Sequence, residues 1–266
     1  MATSVRQHRI SAMENDRMRS AAELLLRARR NGTPFPELPV GLRPHTLEEA
    51  YAIQDIMGLA MEPIGGWKVG APAPDATPLY GPMPLLGGYA ETGQKISKHM
   101  RRMRGVEAEI AFRLGSDLPV RAEAYTREEV VAAIASAHPA IELLESAYVD
   151  PDKVDRLSMI GDLQMNGGFV YGAAYADWKN ADLTQEQVTV SIDGAVRFEG
   201  TATNTAGTDL LRLVTWLANQ GQERTGGLNA GDWITTGSWS GKALANQGSS
   251  VTVRFSHFGE IGIWFE

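Results

Sequence analysis

The chain has 266 residues, 43% of them hydrophobic and 21% charged, and carries a net charge of −7. It is long enough to bury a sizeable core and too acidic for a broad nucleic-acid surface. The absence of cysteine excludes disulfides, thiolate catalysis and cysteine zinc sites.

Residues 12–30 read as an amphipathic helix, with Ala21, Leu24, Leu25 and Ala28 at helical spacing and Asn31-Gly32 as its stop. Thr33 to Pro44 is proline-rich and extended. Thr46 opens a second helix with a capping box, since Glu49 lies three residues on and can reach back to the Thr46 amide. Ala50, Ile53, Ile56 and Met57 form its buried stripe. These helices predict a helical N-terminal cap over 1–63, followed by a β-rich catalytic domain over 64–266. The fold class expected is α+β.

Segment 64–95 is too rich in glycine and proline for a helix and predicts a strand followed by long loops. The basic run Arg101-Arg102-Met103-Arg104 fits a solvated loop or a patch of positive charge beside an anionic ligand. Residues 106–114 alternate as a strand does. Thr126 and Glu129 form a second capping box, opening a helix through about Ala137 that His138-Pro139 ends, and Ala140 to Leu144 continues as a strand. Val188 to Glu199 reads as a hairpin turning on Asp193-Gly194, a pair suited to positive φ. Thr208 to Asn219 reads as a helix with Leu210, Leu211, Val214 and Leu217 inward, stopped by Gly221. Strands at 232–236, 250–256 and 261–265 finish the chain. No run approaches the roughly 20 apolar residues that span a bilayer, and no secretory pattern is visible, so a cytoplasmic protein without a membrane partner is expected.

The five histidines (His8, His45, His99, His138, His257) show no metal-ligand spacing. A catalytic metal would therefore be a hard cation held by oxygen. Glu107 and Glu109 stand at i and i+2 on a strand, so both carboxylates project from one face, while Val106, Ala108 and Ile110 point to the other. Two like charges so placed repel unless something positive sits between them, and a divalent cation answers that need. An exposed strand face dotted with glutamates has the same local pattern. Glu142 lies in the apolar run Pro139 to Leu144, where a carboxylate is expensive to bury unless paired or metal-bound; Glu145 competes with it for that part. Lys68, bracketed by glycines and beside Trp67, fits either a pocket for an anionic substrate or an exposed strand end. Thr236, Gly237 and Ser238 could present amides and hydroxyls to a carboxylate, or simply form a buried strand and its turn.

Together the segments LEEAYAIQ (47–54), GWKVG (66–70), GVEAEIAFRLGSDLP (105–119), HPAIELLES (138–146), TWLANQ (215–220) and GLNAGDWITTGS (227–238) resemble the fumarylacetoacetate hydrolase superfamily. Within it they are most similar to the 2-keto-4-pentenoate hydratase group. The resemblance implies a mixed β-sheet roll of the C-terminal type with a small helical N-terminal part. It also implies an Mg²⁺ or Mn²⁺ cofactor, a small 2-oxo or 2-enol carboxylate substrate, and a homo-oligomer. Carried over by motif, Glu107, Glu109 and Glu142 become metal ligands and Lys68, Glu107 and Glu109 catalytic residues. Lys68, Gln164, Thr236, Gly237 and Ser238 become substrate contacts. The reaction implied is addition of water to a 2-hydroxy-2,4-dienoate. Decarboxylation or acylpyruvate hydrolysis on the same scaffold, and a carboxylate-binding member without turnover, stay open. The one candidate here for the His-Glu lid pair of acylpyruvate hydrolases is His45 with Glu48 or Glu49. The chain departs from the hydratase group at Glu145-Ser146-Ala147, at 161–167 and at Thr208-Asp209-Leu210, all bordering the substrate side.

Overall fold

The computed structural model describes residues 12–85, 89–97 and 102–266. His8, His99, Arg101 and residues 86–88 of the glycine- and proline-rich segment lie outside the described residues. The chain forms two compact units, one running up to Ala60 and including Ser146–Met165, the other Met61–Glu145 with Asn166–Glu266.

In the first unit, helix α1 (Ala12–Asn31) and helix α2 (Leu47–Ala60) pack together with a short helix, Arg156–Gly161. Gly32 ends α1 at φ 63° and the Thr33 amide reaches back to the Ala28 carbonyl at 3.1 Å, the bond that closes a Schellman cap. Ala21, Ala22, Leu25, Leu26 and Ala28 are buried, and Leu24 is half-buried at the edge of the stripe. The α2 cap differs from the expected box. Thr46 Oγ1 accepts from the Glu49 amide at 3.2 Å, but the Glu49 carboxylate takes its bond from the His45 amide, at 2.6 Å. Arg17 pairs with the same carboxylate and draws it away from the Thr46 amide. The buried stripe is Ala50, Ile53 and Met57, with Gln54 in the place expected for Ile56; the Gln54 amide can be buried because it donates to the Ile160 carbonyl at 2.8 Å. Thr33 to Pro44 contains one 3₁₀ turn, Val40–Leu42. Asp162 is fully buried, paired with Arg29 at 2.6 Å and accepting from Ser146 Oγ and the Ala147 amide.

The second unit is built on an eight-stranded sheet: β1 (Ile64–Gly70), β2 (Leu79–Pro84), β3 (Tyr89–Glu91), β4 (Gly105–Leu114), β5 (Ile134–Leu144), β6 (Asn166–Tyr171), β7 (Trp233–Thr235) and β8 (Ala243–Leu244). Spatial order is β2-β1-β7-β4-β5-β6-β3, with β8 also on β4. The expected loops of segment 64–95 therefore include two strands, β2 and β3. β2 carries Pro82 and Pro84 and is tolerated because it lies at the sheet edge, where missing amides cost little.

Helix α3 (Arg127–Ala133) has both arms of the Thr126–Glu129 capping box. It ends at Ala133, four residues short of the expectation, and β5 runs straight through His138-Pro139. Side-chain chemistry makes that possible. Gly172 donates its amide to the Pro139 carbonyl at 2.9 Å, and the Gly172 carbonyl, denied an amide by the proline, meets His138 Nδ1 at 2.8 Å instead. A carbonyl can only accept, so Nδ1 carries the proton, and Nε2 accepts from the Ser136 hydroxyl at 2.8 Å. Burial correspondingly pulls the His138 pKa below its ordinary value.

A second, five-stranded sheet comprises Ala195–Thr201, Gln187–Ile192, Ser250–Phe255, Gly259–Phe265 and Lys95–Ile96, in that order. Its first hairpin turns on Asp193 (φ 52°) and Gly194 (φ 77°), as expected of a primed turn. Helix α4 (Leu210–Gln220) is capped by Asp209 and buries Leu210, Leu213, Val214 and Leu217, an i, i+3, i+4, i+7 stripe that leaves Leu211 half-buried. No helix among the described residues is long and apolar enough to cross a membrane.

Candidate metal centre

The sheet brings the three glutamates together by register. β4 and β5 are antiparallel with Glu107 opposite Glu142 and Glu109 opposite Ala140. Cross-strand partners share a face, so one surface of the sheet carries all three carboxylates, while Val106, Ala108 and Ile110 are buried on the other. One carboxylate oxygen from each glutamate lies within 4.8 Å of the others. Glu142 is 0% and Glu109 1% exposed, whereas Glu107 is half-buried at the edge of the group.

Lys68 arrives from β1, two strands away from β4 across β7. The approach of β1 to β7 depends on Gly66, where an added Cβ would stand 2.0 Å from the Trp233 carbonyl oxygen. Lys68 Nζ donates to Glu142 Oε1 at 2.6 Å and Oε2 at 2.8 Å, and Asn166 Nδ2 donates to Oε1 at 2.9 Å. Lys68 is thus neither an exposed strand end nor aimed solely at a ligand. It neutralises one buried carboxylate.

Ionised, three carboxylates face one ammonium, leaving two negative charges uncompensated in a buried place. The titration of the group reflects this. Burial, and then Glu142, push Glu107 up to about 7 against the pull of Lys68 and Lys242. The same two causes hold Glu109 well above the carboxylate range. Burial opposes a charge on Lys68, but Glu142, Glu107 and Glu109 together outweigh it and raise its pKa. Carboxyls whose charge is so disfavoured mark a site short of positive charge, which a hard divalent cation would supply, and the donor set is all oxygen. The residues fit such an ion.

The other expected contacts differ in their surroundings. The Gly237 amide, at φ 87°, donates to Glu109 Oε2 at 3.2 Å, so it steadies a ligand carboxylate. The Thr236 hydroxyl is buried and donates to the Ile110 carbonyl at 2.7 Å, which commits it to the backbone of β4. Ser238 Oγ is buried with no hydrogen-bond partner among the described residues. Gln164 lies in the helical unit, at φ 49° between two further positive-φ residues, Leu163 and Met165. Glu145, the competitor of Glu142, stands outside the group; it accepts from the Arg102 amide and, at 3.2 Å, from the Met103 amide. Arg102 of the basic run also pairs with it at 3.7 Å. Sequence reasoning missed Asn166 and Lys242, whose relation to the glutamates exists only through strand pairing.

The family pattern described as fumarylacetoacetate (FAA) hydrolase C-terminal matches residues 90–263. A 2-keto-4-pentenoate hydratase from Paraburkholderia xenovorans (strain LB400) is 27% identical over 261 residues, covering 92% of this chain and 94% of that protein. Another 2-keto-4-pentenoate hydratase, from Burkholderia vietnamiensis (strain G4), is 30% identical over 199 residues, covering 71% and 74%. Among solved structures, 4-oxalocrotonate decarboxylase from Pseudomonas putida G7, complexed with calcium and acetate, has the same fold: the TM-score is 0.80 at 24% identity, over 94% of this chain and 98% of that one.

Proposed function

The chain belongs to the fumarylacetoacetate hydrolase family, and we propose that within it the protein is a divalent-metal-dependent lyase. It adds water to a 2-hydroxy-2,4-dienoate to give a 4-hydroxy-2-oxo acid, with Glu107, Glu109 and Glu142 holding Mg²⁺ or Mn²⁺. The observation that carries this reading is the convergence of three carboxylates, two of them fully buried, on one point with a net deficit of positive charge. The two hydratase relatives support the reaction class.

The ion would supply Lewis-acid polarisation of the 2-oxygen and a place for the adjoining carboxylate. The chain supplies the rest. Lys68 and Asn166 hydrogen-bond the oxygens of Glu142, with Lys68 neutralising its charge, and the Gly237 amide hydrogen-bonds Glu109. Glu107 is the half-buried member of the three, so it is the carboxyl placed to face a bound dienol. The Ser238 hydroxyl, without a partner among the described residues, is the donor proposed for the substrate's carboxylate. The working form proposed is a cytoplasmic homo-oligomer.

The test is incubation of the purified protein with 2-hydroxypenta-2,4-dienoate and Mg²⁺ while the ultraviolet absorbance of the dienol is followed. Loss of absorbance that a chelator abolishes is expected. No loss, together with turnover of an oxalocrotonate or an acylpyruvate, would replace the hydratase reading with a decarboxylase or hydrolase.

A further inference from the structure

After β7 the chain enters a turn whose carbonyls are taken by side chains. Asn204 Nδ2 donates to the Thr236 carbonyl at 3.0 Å and to the Gly237 carbonyl at 2.9 Å, and the neighbouring Thr203 hydroxyl donates to the Trp239 carbonyl. Both side chains come from the connection that follows Thr201 and leads into α4. Asn204 is 5% exposed, and its Oδ1 accepts from the Ala206 amide at 2.9 Å, an Asx turn that fixes the side chain from its own segment. The orientation of this amide is forced. Carbonyls only accept and an N–H only donates, so nitrogen faces residues 236 and 237 and oxygen faces Ala206. Aspartate in its place would set an oxygen against two carbonyl oxygens.

The Thr236 carbonyl and the Gly237 amide are the two ends of one planar trans peptide unit, so they point in opposite directions. Gripping the carbonyl therefore aims the N–H, which donates to Glu109 Oε2 at 3.2 Å. The turn reaches this arrangement with Gly237 at φ 87°. An added Cβ there would have room, its nearest neighbour being Asn204 Oδ1 at 3.6 Å, so conformation and not space calls for glycine. Hydrogen bonds linked in such a chain polarise one another, and the Asn204 donor strengthens the bond that Glu109 receives.

We infer that Asn204 is a positioning residue for the metal centre: by holding the Thr236 carbonyl it keeps the Gly237 amide on Glu109, and so keeps that carboxylate aimed at the point the three glutamates share. The role at the metal rests on the metal-dependent reading above, whereas the hold on the peptide does not. An isolated asparagine far from the glutamates in sequence carries no sign of this task, because it acts through the backbone of a third segment.

The experiment joins amide hydrogen exchange in the metal-free protein to calorimetric titration with Mn²⁺, on wild type, Asn204→Ala, Asn204→Asp and Thr203→Val. Labelling threonine with ¹³C at the carbonyl and glycine with ¹⁵N selects only the Thr-Gly amides, those of Gly93, Gly226 and Gly237. Gly93 and Gly226 donate to the Gly262 and Gln222 carbonyls and serve as internal references. In Asn204→Ala the Gly237 amide should exchange at least about tenfold faster while both references stay within about twofold. Mn²⁺ should bind about threefold to tenfold more weakly, the lower end of what a lost outer partner costs. Asn204→Asp, which keeps the shape and the Ala206 bond, should show the same two changes. Thr203→Val, which frees only the Trp239 carbonyl, should show neither. Unchanged Gly237 exchange in both Asn204 variants would overturn the inference, as would equal acceleration at all three glycines or an equal effect of Thr203→Val. A freed Gly237 amide with undiminished Mn²⁺ affinity would overturn it too. Failure of wild type to bind Mn²⁺ would sink the metal-dependent reading, and with it the role at Glu109, and shows in the titration apart from the exchange result.

Discussion

Replacing Glu107 with glutamine should stabilise the metal-free protein at pH 8 and scarcely at pH 5. In the folded chain the Glu107 carboxyl is pushed from 4.5 up to about 7 by burial and by Glu142. Between those values the folded state binds more protons than the unfolded state, so stability falls as pH rises through the window and stays low above it. At about 1.4 kcal/mol per unit, the cost at pH 8 is roughly 3 kcal/mol, an upper figure because Glu107 is only half-buried and water screens part of it. Glutamine keeps the shape and removes the charge. In denaturant unfolding with a chelator present, Glu107→Gln should exceed wild type by about 1–3 kcal/mol at pH 8 and by less than about 1 kcal/mol at pH 5. Saturating Mn²⁺ should reverse the order, since a ligand at a thousandfold its Kd adds about 4.1 kcal/mol to the protein that binds it. A variant no more stable than wild type at pH 8, or equally favoured at both pH values, would refute the reasoning.

Further outcomes follow from the same charges and contacts. Lys68→Gln should lose about 2–4 kcal/mol of metal-free stability, because Glu142 is left buried without its cation, yet should bind Mn²⁺ more tightly in calorimetry; weaker binding would contradict the role given to Lys68. Mn²⁺ affinity in wild type should fall about tenfold or more for each pH unit below 7, as Glu107 and Glu109 take up protons that the ion must displace; a flat profile from pH 6 to 8 would count against the raised pKa values. Gly66→Ala should cost more than about 3 kcal/mol or prevent folding, since its Cβ would lie 2.0 Å from the Trp233 carbonyl oxygen and β1 would be forced off β7. An unchanged unfolding midpoint for that variant would show that the two strands part without penalty.

The site was legible where chemistry is local. Glu107 and Glu109 declare their common face through a period of two, and Asp193-Gly194 declares its turn through the conformations those residues tolerate. The misses share a different cause. His138-Pro139 looks like a break because a proline lacks an amide, and only the fold supplies the imidazole that satisfies Gly172 instead. The Glu49 cap shifted by one residue because Arg17, 32 positions away, competes for the carboxylate. Lys68 meets Glu142 across 74 residues, and Asn166 reaches the same carboxylate across 24. Long-range ion pairs leave no periodicity in the chain that contains them.

The central claim is most directly tested by diffraction at the manganese absorption edge from crystals soaked in Mn²⁺. One anomalous peak bonded to Glu107, Glu109 and Glu142, with Lys68 still paired with Glu142, is the predicted result. Absence of a peak at those carboxylates, or a peak elsewhere with the three side chains unchanged, would contradict it.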